Sequence, residues 1–539
     1  MSNLKKKIII DNEYLNLLII ISVGLFLRLF YLFKKTGNIF LPNLGGDSCY
    51  HYNVAYNIAS SLGPKTSFIF SYWFYHERIP AITDLYGPGY HYFLSLFLYL
   101  KNDFIILRTS SLLVGLASIL SAYFLGKIIH SKKLGYISAL IICFNFFHIE
   151  NSTVIMRENF SLLLVQLFFL NLFLLSRGRL PFCIMGIIIG YSVMTLGAWI
   201  ILLVIFFFYA FVCFKKNFFF FLNLFIFSIF FLITFYPWAS ITYNYFGKIL
   251  FNYISFYPYV SDWGTMMSER GLPNTSNFWH TINFLEYFKN HLYWGLTNLY
   301  KFHLILFPTF ALPFSFMLIP LIVLGAFKLR FKGFILLIFT FLYFLGLLFG
   351  SQAFQGNLWP RHFLVLLAAV SILLGYGLIF TYYQIGEYKI FKKILKFFLN
   401  YKFLICVIPI LVTTMGIQVK KSFWERDSSH FYKFGKKISQ ITDREDVIMY
   451  AYAVSDAWCA TGRKIVQDVA FNNVKNVDRV NEEIKKYDVG YLLIDISDHI
   501  YTRSQSKNIN EVLLFYKKTK LELVTQDKTN GYFFYKIIN

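Results

Sequence analysis

Long apolar runs alternate with short polar segments over most of the chain, and this alternation stops near residue 418. A helix that crosses a bilayer needs about 20 predominantly apolar residues, with a usual range of roughly 17–25. About eleven runs reach or approach that length, so the pattern predicts a mainly α-helical, polytopic transmembrane bundle. The predicted spans are 15–33, 105–127, 134–149, 159–176, 181–196, 198–214, 217–237, 303–326, 333–350, 362–382 and 401–418.

After the last predicted span the pattern changes, and charges of both signs separate short runs that are typical of strands. Two such runs are Val447–Tyr450 and Tyr491–Ile494, and amphipathic helical periodicity is present near 428–441 and 476–487. These features predict a small soluble α/β domain. The predicted domains are 1–418, a transmembrane domain with large outer loops at 34–104 and 238–302, and 419–539, the soluble domain.

Composition supports a membrane location for most of the chain. Hydrophobic residues make up 57% and charged residues 15%, whereas a soluble domain carries about 25% charged residues. Lipid must therefore cover much of the surface, and the long uncharged runs exclude a large soluble protein. The net charge of +23 would suit nucleic acid, but the excess lies in short clusters between apolar runs, as the positive-inside rule expects. The predicted partner is the lipid bilayer, and no nucleic acid is expected.

The basic clusters also predict the orientation. Lys5, Lys6 and Lys7 precede the first span, and no small-residue cleavage site follows it closely, so we predict an uncleaved span and a cytoplasmic N-terminus. Acidic residues then fall in outer loops, and the α/β domain is predicted to be extracytoplasmic. The predicted cytoplasmic connections are all basic, namely 127–133, 177–179, 215–216, 328–332 and 389–396.

One apolar run, Gly89–Leu100, is too short to span a bilayer. Counting it as a span would reverse every later connection and place the basic loops outside. We therefore predict a juxtamembrane or re-entrant helix in the first outer loop.

The six cysteines show neither the pattern of a disulfide framework nor the spacing of a metal site. Cys49 and Cys459 stand alone in the sequence. The other four lie in or beside apolar runs, at Cys143, Cys183, Cys213 and Cys406.

The first outer loop contains the segment Gly-Gly-Asp-Ser-Cys-Tyr-His-Tyr over 45–52, with Asp47 directly after two glycines. An acid there can serve as a general base, or it can hold a divalent cation such as Mg²⁺ or Mn²⁺ against a phosphate. The structural alternative is that Asp47 caps a helix that begins at Ser48.

The second outer loop ends in Arg157 and Glu158, where the next span begins. Glu158 is a candidate second acid of a site. The alternative is a helix-end role, since a negative charge is favourable at a helix N-terminus and Arg157 can be its ion-pair partner.

Arginines occur at the same predicted face as the acids. Arg28 lies inside the first span near its outer end, where an arginine is costly and indicates function unless it reaches the surface along its stem. Arg361 and His362 follow a Trp-Pro pair and open the tenth span. Acids and arginines at one membrane depth suit a phosphate-bearing lipid, because arginine binds phosphate bidentately.

Over nearly its whole length the chain resembles the C-type glycosyltransferase superfamily. Two branches are similar: the polyprenyl-monophosphate-sugar-dependent transferases, such as protein mannosyltransferases and aminoarabinose transferases, and the catalytic subunit of oligosaccharyltransferase. Both have an essential Asp in the first outer loop, which corresponds to Asp47, and an acidic motif in the next, which corresponds to Glu158. The segment 86–94, Tyr-Gly-Pro-Gly-Tyr-His-Tyr-Phe-Leu, looks like the Pro-containing helix that closes the first loop in these families.

The resemblance implies an inverting glycosyltransferase that moves a hexosyl, pentosyl or oligosaccharyl group from a polyprenyl phosphate or pyrophosphate carrier. The acceptor would be a protein, lipid or glycan at the outer membrane face. Asp47 and Glu158 would be catalytic, or would together hold the divalent cation. The substrate-binding residues implied are Arg28, Tyr50, His51, Arg157, Glu269, Arg361 and His362.

Three further segments are similar to oligosaccharyltransferase motifs: 195–199, 265–269 with Glu269, and 462–468 with the two asparagines that follow. The Trp-Trp-Asp-Tyr-Gly signature of that family is absent, and Ser-Asp-Ala-Trp-Cys at 455–459 stands near its place. That signature normally reads the glycosylation sequon. Protein N-glycosylation therefore stays an alternative within the superfamily.

The alternative of another class is a lipid-linked glycan flippase, a transporter or a polysaccharide polymerase. A transporter places charged or broken helices near the bilayer midplane, often in repeats. Here most ionisable residues cluster at one face and no repeat is visible. A third alternative is a non-catalytic subunit with a decayed site, against which the retained Asp47 and Glu158 argue.

Overall fold

The structure is a computed structural model, mainly helical with a small sheet towards the C-terminus. It describes residues 12–35, 47–69, 78–83, 87–195, 199–214, 219–246, 249, 312–350, 360–385, 429–450, 454–467, 477–496, 513, 516 and 519–538. In chain order the helices are α1 (Asn12–Lys35), α2 (Ser48–Ala59), α3 (Gly89–Leu100), α4 (Phe104–Ile129), α5 (Lys132–Phe144), α6 (Phe146–Asn151), α7 (Arg157–Leu172), α8 (Leu180–Thr195), α9 (Ile200–Phe214), α10 (Phe220–Phe246), α11 (Leu312–Lys328), α12 (Arg330–Gly350), α13 (Leu367–Ile385), α14 (Ser429–Ile441), α15 (Val454–Thr461) and α16 (Val477–Tyr487), with 3₁₀ turns at Leu175–Arg177 and Pro360–Leu366.

Five stretches among the described helices are long and apolar enough to cross a membrane: α1, α4, α10, α12, and α13 with the end of the 3₁₀ turn before it. The shorter apolar stretches in α8, α9 and α11 add to this hydrophobic bundle. These helices make the chain an integral membrane protein. The count of eleven spans stays a prediction, because 401–418 and the first part of 303–326 lie outside the described residues.

One predicted span, 134–149, is wrong as a single helix. The structure divides it into α5 and α6 at Asn145, whose side-chain oxygen accepts a hydrogen bond from the backbone N–H of His148 at 3.0 Å. A capping side chain of this kind satisfies a backbone donor that a continuous helix would satisfy itself. The Gly89–Leu100 run forms α3, a helix of 12 residues, as predicted.

Glycines bring α11, α12 and α13 into close contact. A Cβ atom on Gly325 of α11 would lie 1.9 Å from the carbonyl oxygen of Leu373 in α13. One on Gly333 of α12 would lie 2.1 Å from the carbonyl oxygen of Ala326. Because no side chain fits at these distances, only glycine allows the backbones to approach so closely, and the turn between α11 and α12 is held firmly against the bundle.

The C-terminal region forms an α/β sheet domain, as predicted. Its strands are β4 (Val447–Tyr450), β5 (Lys464–Gln467), β6 (Val489–Asp495), β7 (Lys520–Asp527) and β8 (Tyr532–Ile538), and the first outer loop contributes β1 (Lys65–Thr66), β2 (Phe68–Ile69) and β3 (Ala81–Ile82).

The first outer loop is part of this domain. The sheet order is β2-β5-β4-β6-β8-β7, parallel from β2 to β6 and antiparallel from β6 to β7. Tyr50, Val54 and Phe68 of the loop share one hydrophobic core with the C-terminal strands. The loop and the domain therefore bury their apolar surface against each other.

A disulfide joins the same two regions, between Cys49 in α2 and Cys459 in α15. The expectation that these two cysteines stand alone is wrong. They are 410 residues apart in sequence, and only the packing of α2 against α15 brings them together.

Candidate functional site

Asp47 lies directly before α2, at the N-cap position, and is half-buried. Its backbone is in the right-handed helical region, and its side chain makes no capping hydrogen bond to α2. The capping role that the sequence left open is therefore not the role of this carboxylate in the structure.

The two predicted outer loops meet at this point. The Ser48 hydroxyl, next to Asp47, donates to the backbone carbonyl of Ile155 at 3.4 Å. Two residues after Ile155, α7 begins with Arg157 and then Glu158, and the Glu158 side chain is buried. The contact places the beginnings of α2 and α7 side by side, so the two candidate acids belong to neighbouring segments.

Arg157 and Glu158 form a pair in which Glu158 is buried and Arg157 is half-buried. The Nε atom of Arg157 lies 3.9 Å from Oε1 of Glu158, as the structural alternative expects. Because little water screens this pair, its charges act strongly on their surroundings.

The polar core of the site is a pair of histidines. Nδ1 of His51 in α2 and Nε2 of His91 in α3 are 2.9 Å apart and share a hydrogen bond, and both side chains are buried. Burial lowers the pKa of His91 well below 6.5, and the positive potential of His51 and Arg157 acts in the same direction. Tyr50 packs its ring against both histidines, and its hydroxyl is hydrogen-bonded to Thr83.

Aromatic side chains surround the acidic end of this cluster. Tyr90 packs edge-to-face against His51 at 5.1 Å, and burial raises the pKa of its phenol, with a further contribution from the Glu158 charge. Tyr343 of α12 lies within electrostatic reach of Glu158 and Arg157 and stacks on Trp199 at 5.1 Å. His91, Tyr90 and Tyr343 were given no role from the sequence; the first two lie in the 86–94 segment, but their burial cannot be read from it.

Arg28 does not reach the surface, contrary to one of the alternatives left open by the sequence. It is fully buried. It donates to the carbonyl of Gly24 at 2.8 Å and to the Ser152 hydroxyl at 3.2 Å, and it contacts Nδ1 of His148 at 2.6 Å. These contacts tie α1 to the second outer loop beside the site.

The backbone of Arg361 and His362 lies in the 3₁₀ turn Pro360–Leu366, which packs against α6 and α7. This confirms a helical start near Arg361 and puts the turn beside the second outer loop. The side chains of both residues are outside the described part of the structure. So are Glu269, its whole motif 265–269, the segments 196–198 and 468–476, and residues 36–46 before Asp47.

A divalent cation finds no complete ligand set among the described residues, in which no three His, Cys, Asp or Glu side chains converge. Asp47 and Glu158 would supply two ligands, while His51 and His91 are bonded to each other. The predicted Mg²⁺ or Mn²⁺ site at Asp47 and Glu158 stays a prediction, and no chemical step below depends on it.

The C-terminal domain closes one side of the site with α15, which carries the 455–459 segment. Trp458 packs against Tyr52 at 5.6 Å and Tyr56 at 5.9 Å, and Asp456 is buried. Burial raises the pKa of Tyr52 to about 12. The segment therefore faces α2. Its last residue, Cys459, is bonded to Cys49, which follows Asp47 by two positions in the sequence.

No protein-family model and no curated protein matches the chain. Solved structures do match. AglB, the oligosaccharyltransferase of Archaeoglobus fulgidus, in complex with an inhibitory peptide and a dolichol-phosphate, has a TM-score of 0.61 at 14% identity, over 97% of this chain and 74% of that chain. An oligosaccharyltransferase of Archaeoglobus fulgidus in complex with Zn and sulfate has a TM-score of 0.58 at 16% identity, over 95% of this chain and 72% of that chain. ArnT from Cupriavidus metallidurans bound to undecaprenyl phosphate has 0.57 at 10% identity, over 96% and 97%.

At these identities the likeness establishes the fold. The chain has the C-type glycosyltransferase fold that both neighbours share, as the sequence resemblance implied. The TM-scores of the two branches are nearly equal, so the fold does not separate them.

Proposed function

We propose that this chain is an integral membrane glycosyltransferase that transfers a sugar or glycan from a polyprenyl phosphate or pyrophosphate carrier to an acceptor. The observation that carries the proposal is the meeting of the Asp47 and Glu158 segments at one end of a C-type glycosyltransferase fold. The Ser48–Ile155 contact joins these two segments, and the buried histidine pair joins α2 to α3 beside them. A transporter does not require two acids at the mouth of such a site.

Asp47 acts as the general base in the proposed reaction. It takes the proton from the acceptor as the acceptor atom bonds to the anomeric carbon, and the carrier phosphate leaves with the electrons of the broken bond. Because the leaving group is already a phosphate, the chain mainly has to position the reactants and stabilise charge. A single base that activates the acceptor on one face of the sugar, opposite the leaving phosphate, is what an inverting reaction requires.

The carrier phosphate is assigned to Arg361, with His362 beside it. Their 3₁₀ turn lies against α6 and against α7, the helix that begins with Arg157 and Glu158. Arg157 adds positive charge at the same place, and Glu158 is the second acid of the site. The donor would enter from the bilayer, since α12 and α13 flank the turn.

The remaining predicted binding residues take supporting roles. Tyr50 and His51 are buried and bonded to protein partners, so we assign them to the wall that shapes the site. Arg28 is assigned to positioning the second outer loop through Ser152 and His148, in place of direct substrate contact. Glu269 keeps its predicted substrate-binding role.

An oligosaccharyltransferase-like protein N-glycosylation enzyme is the second candidate. The similarity of the segments 195–199, 265–269 and 462–468 to oligosaccharyltransferase motifs favours it. The buried Trp458 side chain argues for a different acceptor, because it packs against Tyr52 of α2 at the place where the sequon-reading signature would stand.

The test of the proposed function is a transfer assay with the purified protein and a labelled polyprenyl-phosphate sugar. Asp47→Asn keeps the shape of the side chain and removes the base, so transfer should fall about 100- to 10,000-fold. Asp103→Asn is the matched control. Asp103 caps α4 through the backbone N–H of Ile105, and asparagine caps equally well. Equal transfer by both variants would remove Asp47 from the reaction.

The extracytoplasmic placement of the site is part of the proposal. A disulfide persists in oxidising compartments, and the Cys49–Cys459 bond lies at this end of the fold. A reporter enzyme that is active only in the cytoplasm, fused after Asn539, should therefore be silent. Strong reporter activity would contradict both the predicted topology and the extracytoplasmic location of the site.

A further inference from the structure

The end of the bundle away from the candidate site contains a cavity of about 380 Å³ that the proposed reaction does not use. It lies where the α4–α5 turn, with His130, meets the α11–α12 turn, with Lys328, Arg330 and Lys332. Helix α4 has 26 residues, so the cavity is roughly 39 Å from the outer start of that helix. Its volume falls in the usual range of ligand sites, roughly 300–1,000 Å³.

The charge of this cavity is not neutralised by the protein around it. Within the part of the chain that the structure describes, the three cations of the α11–α12 turn form no ion pair with a carboxylate. Nearby, Lys127 and Lys132 both pair with Glu13. On an ordinary basic surface, cations pair with a nearby carboxylate as readily as they stay unpaired. The lining of this cavity contains cations and no acid.

Arg330 has a backbone conformation that is unusual for its residue type. Its φ angle is +54°, in the left-handed region, which is sterically unfavourable for an L-residue other than glycine. Strain of this kind is often found where a side chain must be presented to a ligand. The close backbone packing at Gly325 and Gly333 holds the turn in place.

The other cations are fixed by neighbours that leave their charge in the cavity. Nζ of Lys332 donates to the carbonyls of Ile128 and Ile129 at 3.4 Å and 3.3 Å, at the end of α4. Nζ of Lys328 lies 4.5 Å from the ring centroid of Phe380. These contacts therefore hold both ammonium groups near the cavity.

Part of the cavity wall is apolar, with Ile129, Leu329 and Phe331 beside the cations. We propose that this cavity binds the phosphate headgroup of an anionic phospholipid from the leaflet at the basic end. Arginine binds phosphate bidentately, basic pockets between membrane helices suit such headgroups, and the apolar part of the wall suits the adjoining glycerol and acyl region.

The proposal is tested by titrating the detergent-solubilised full chain with phosphatidylglycerol in native mass spectrometry. Arg330→Asn removes the cation, and asparagine tolerates a positive φ, so the turn should keep its conformation. We expect the affinity for the first phosphatidylglycerol to fall roughly fivefold. Lys328→Gln should give a similar loss and carries the test if Arg330→Asn does not fold.

The matched control is Lys133→Gln, which removes one cation from the same end of the bundle. Lys133 donates to the Tyr383 hydroxyl at 2.9 Å and does not line the cavity. An equal loss in this control would mean general surface attraction and would overturn the proposal. Phosphatidylcholine should bind no better to the wild type than to Arg330→Asn. Displacement of phosphatidylglycerol by inorganic phosphate alone would assign the cavity to a free anion instead of a lipid.

Discussion

The two ends of the helical bundle are built in different ways. At the Asp47 end, side chains from α2, α3 and α7 are buried under an α/β domain, and one disulfide crosses the assembly. At the basic end, exposed cations come from turns between helices that follow each other in the chain. One end depends on long-range packing, and the other depends on local turns.

This difference indicates which properties each end can have. Buried titratable groups keep perturbed protonation states because water does not solvate them, which is what acid–base chemistry requires. Exposed cations attract anions, but they change the protonation of neighbouring groups little because water screens their charge. The comparison is tested by changes that break contacts of the Asp47 end. Each change should reduce stability or binding more than a similar change elsewhere in the chain.

Loss of the disulfide should have the largest effect on stability. Cys49→Ser or Cys459→Ser should lower the free energy of unfolding by about 2–5 kcal/mol, because the bond closes a very long loop. Thermal unfolding of the detergent-solubilised protein, with and without reductant, measures this. Reductant should lower the midpoint of the wild type and leave both variants unchanged.

Cys183→Ser is the control for this prediction. Cys183 is a free cysteine in α8, so its loss should leave the unfolding midpoint nearly unchanged. A midpoint that falls equally in Cys183→Ser and Cys49→Ser would show that the bond does not stabilise the domain.

A smaller effect is expected from pH, through His91. Because its folded pKa lies well below 6.5, the unfolded chain binds more protons as pH falls below 6.5. Stability should therefore be lost on acidification from that value, by up to about 1.4 kcal/mol per pH unit for one histidine. His91→Gln keeps an atom near the Nε2 position and should reduce this slope in thermal unfolding. A slope in His91→Gln equal to that of the wild type would contradict the prediction.

The smallest expected effect belongs to Arg361→Lys. Lysine keeps the charge but loses the planar two-point contact with phosphate, so donor affinity should fall roughly fivefold while stability is largely kept. Equilibrium binding of a labelled polyprenyl-phosphate sugar measures the change. Unchanged affinity would remove Arg361 from the carrier site and leave it a structural role.

Much of the fold could be predicted from the sequence, because spans and amphipathic helices are local patterns. Helices α14 and α16 and strands β4 and β6 appear where the periodicity placed them. The break at Asn145 was missed because one side-chain hydrogen bond decides it within an apolar run. Strand β2 was missed because two residues carry no periodicity, and its pairing partner is distant in sequence.

The candidate site was only partly predictable. Asp47 and Glu158 were found because acids at predicted outer loops are conspicuous. The histidine pair was not found, since neither the contact between His51 and His91 nor their burial is a local property. The disulfide left one usable signal: Cys49 and Cys459 were the two cysteines placed in outer regions, where an oxidising compartment favours pairing.

The insertion of β2 into the C-terminal sheet has a consequence for biosynthesis. Phe68 and Ile69 pair with Ile465 and Val466, so the first outer loop lacks its strand partner until β5 has been synthesised. At roughly 5–20 residues per second, the 410 residues between Cys49 and Cys459 take roughly 20–80 s to synthesise. During that time Cys49 is an unpaired thiol, and the loop that carries Asp47 is exposed to chaperones and oxidases. The newly made membrane domain therefore completes its candidate site only after β5 and Cys459 have been synthesised.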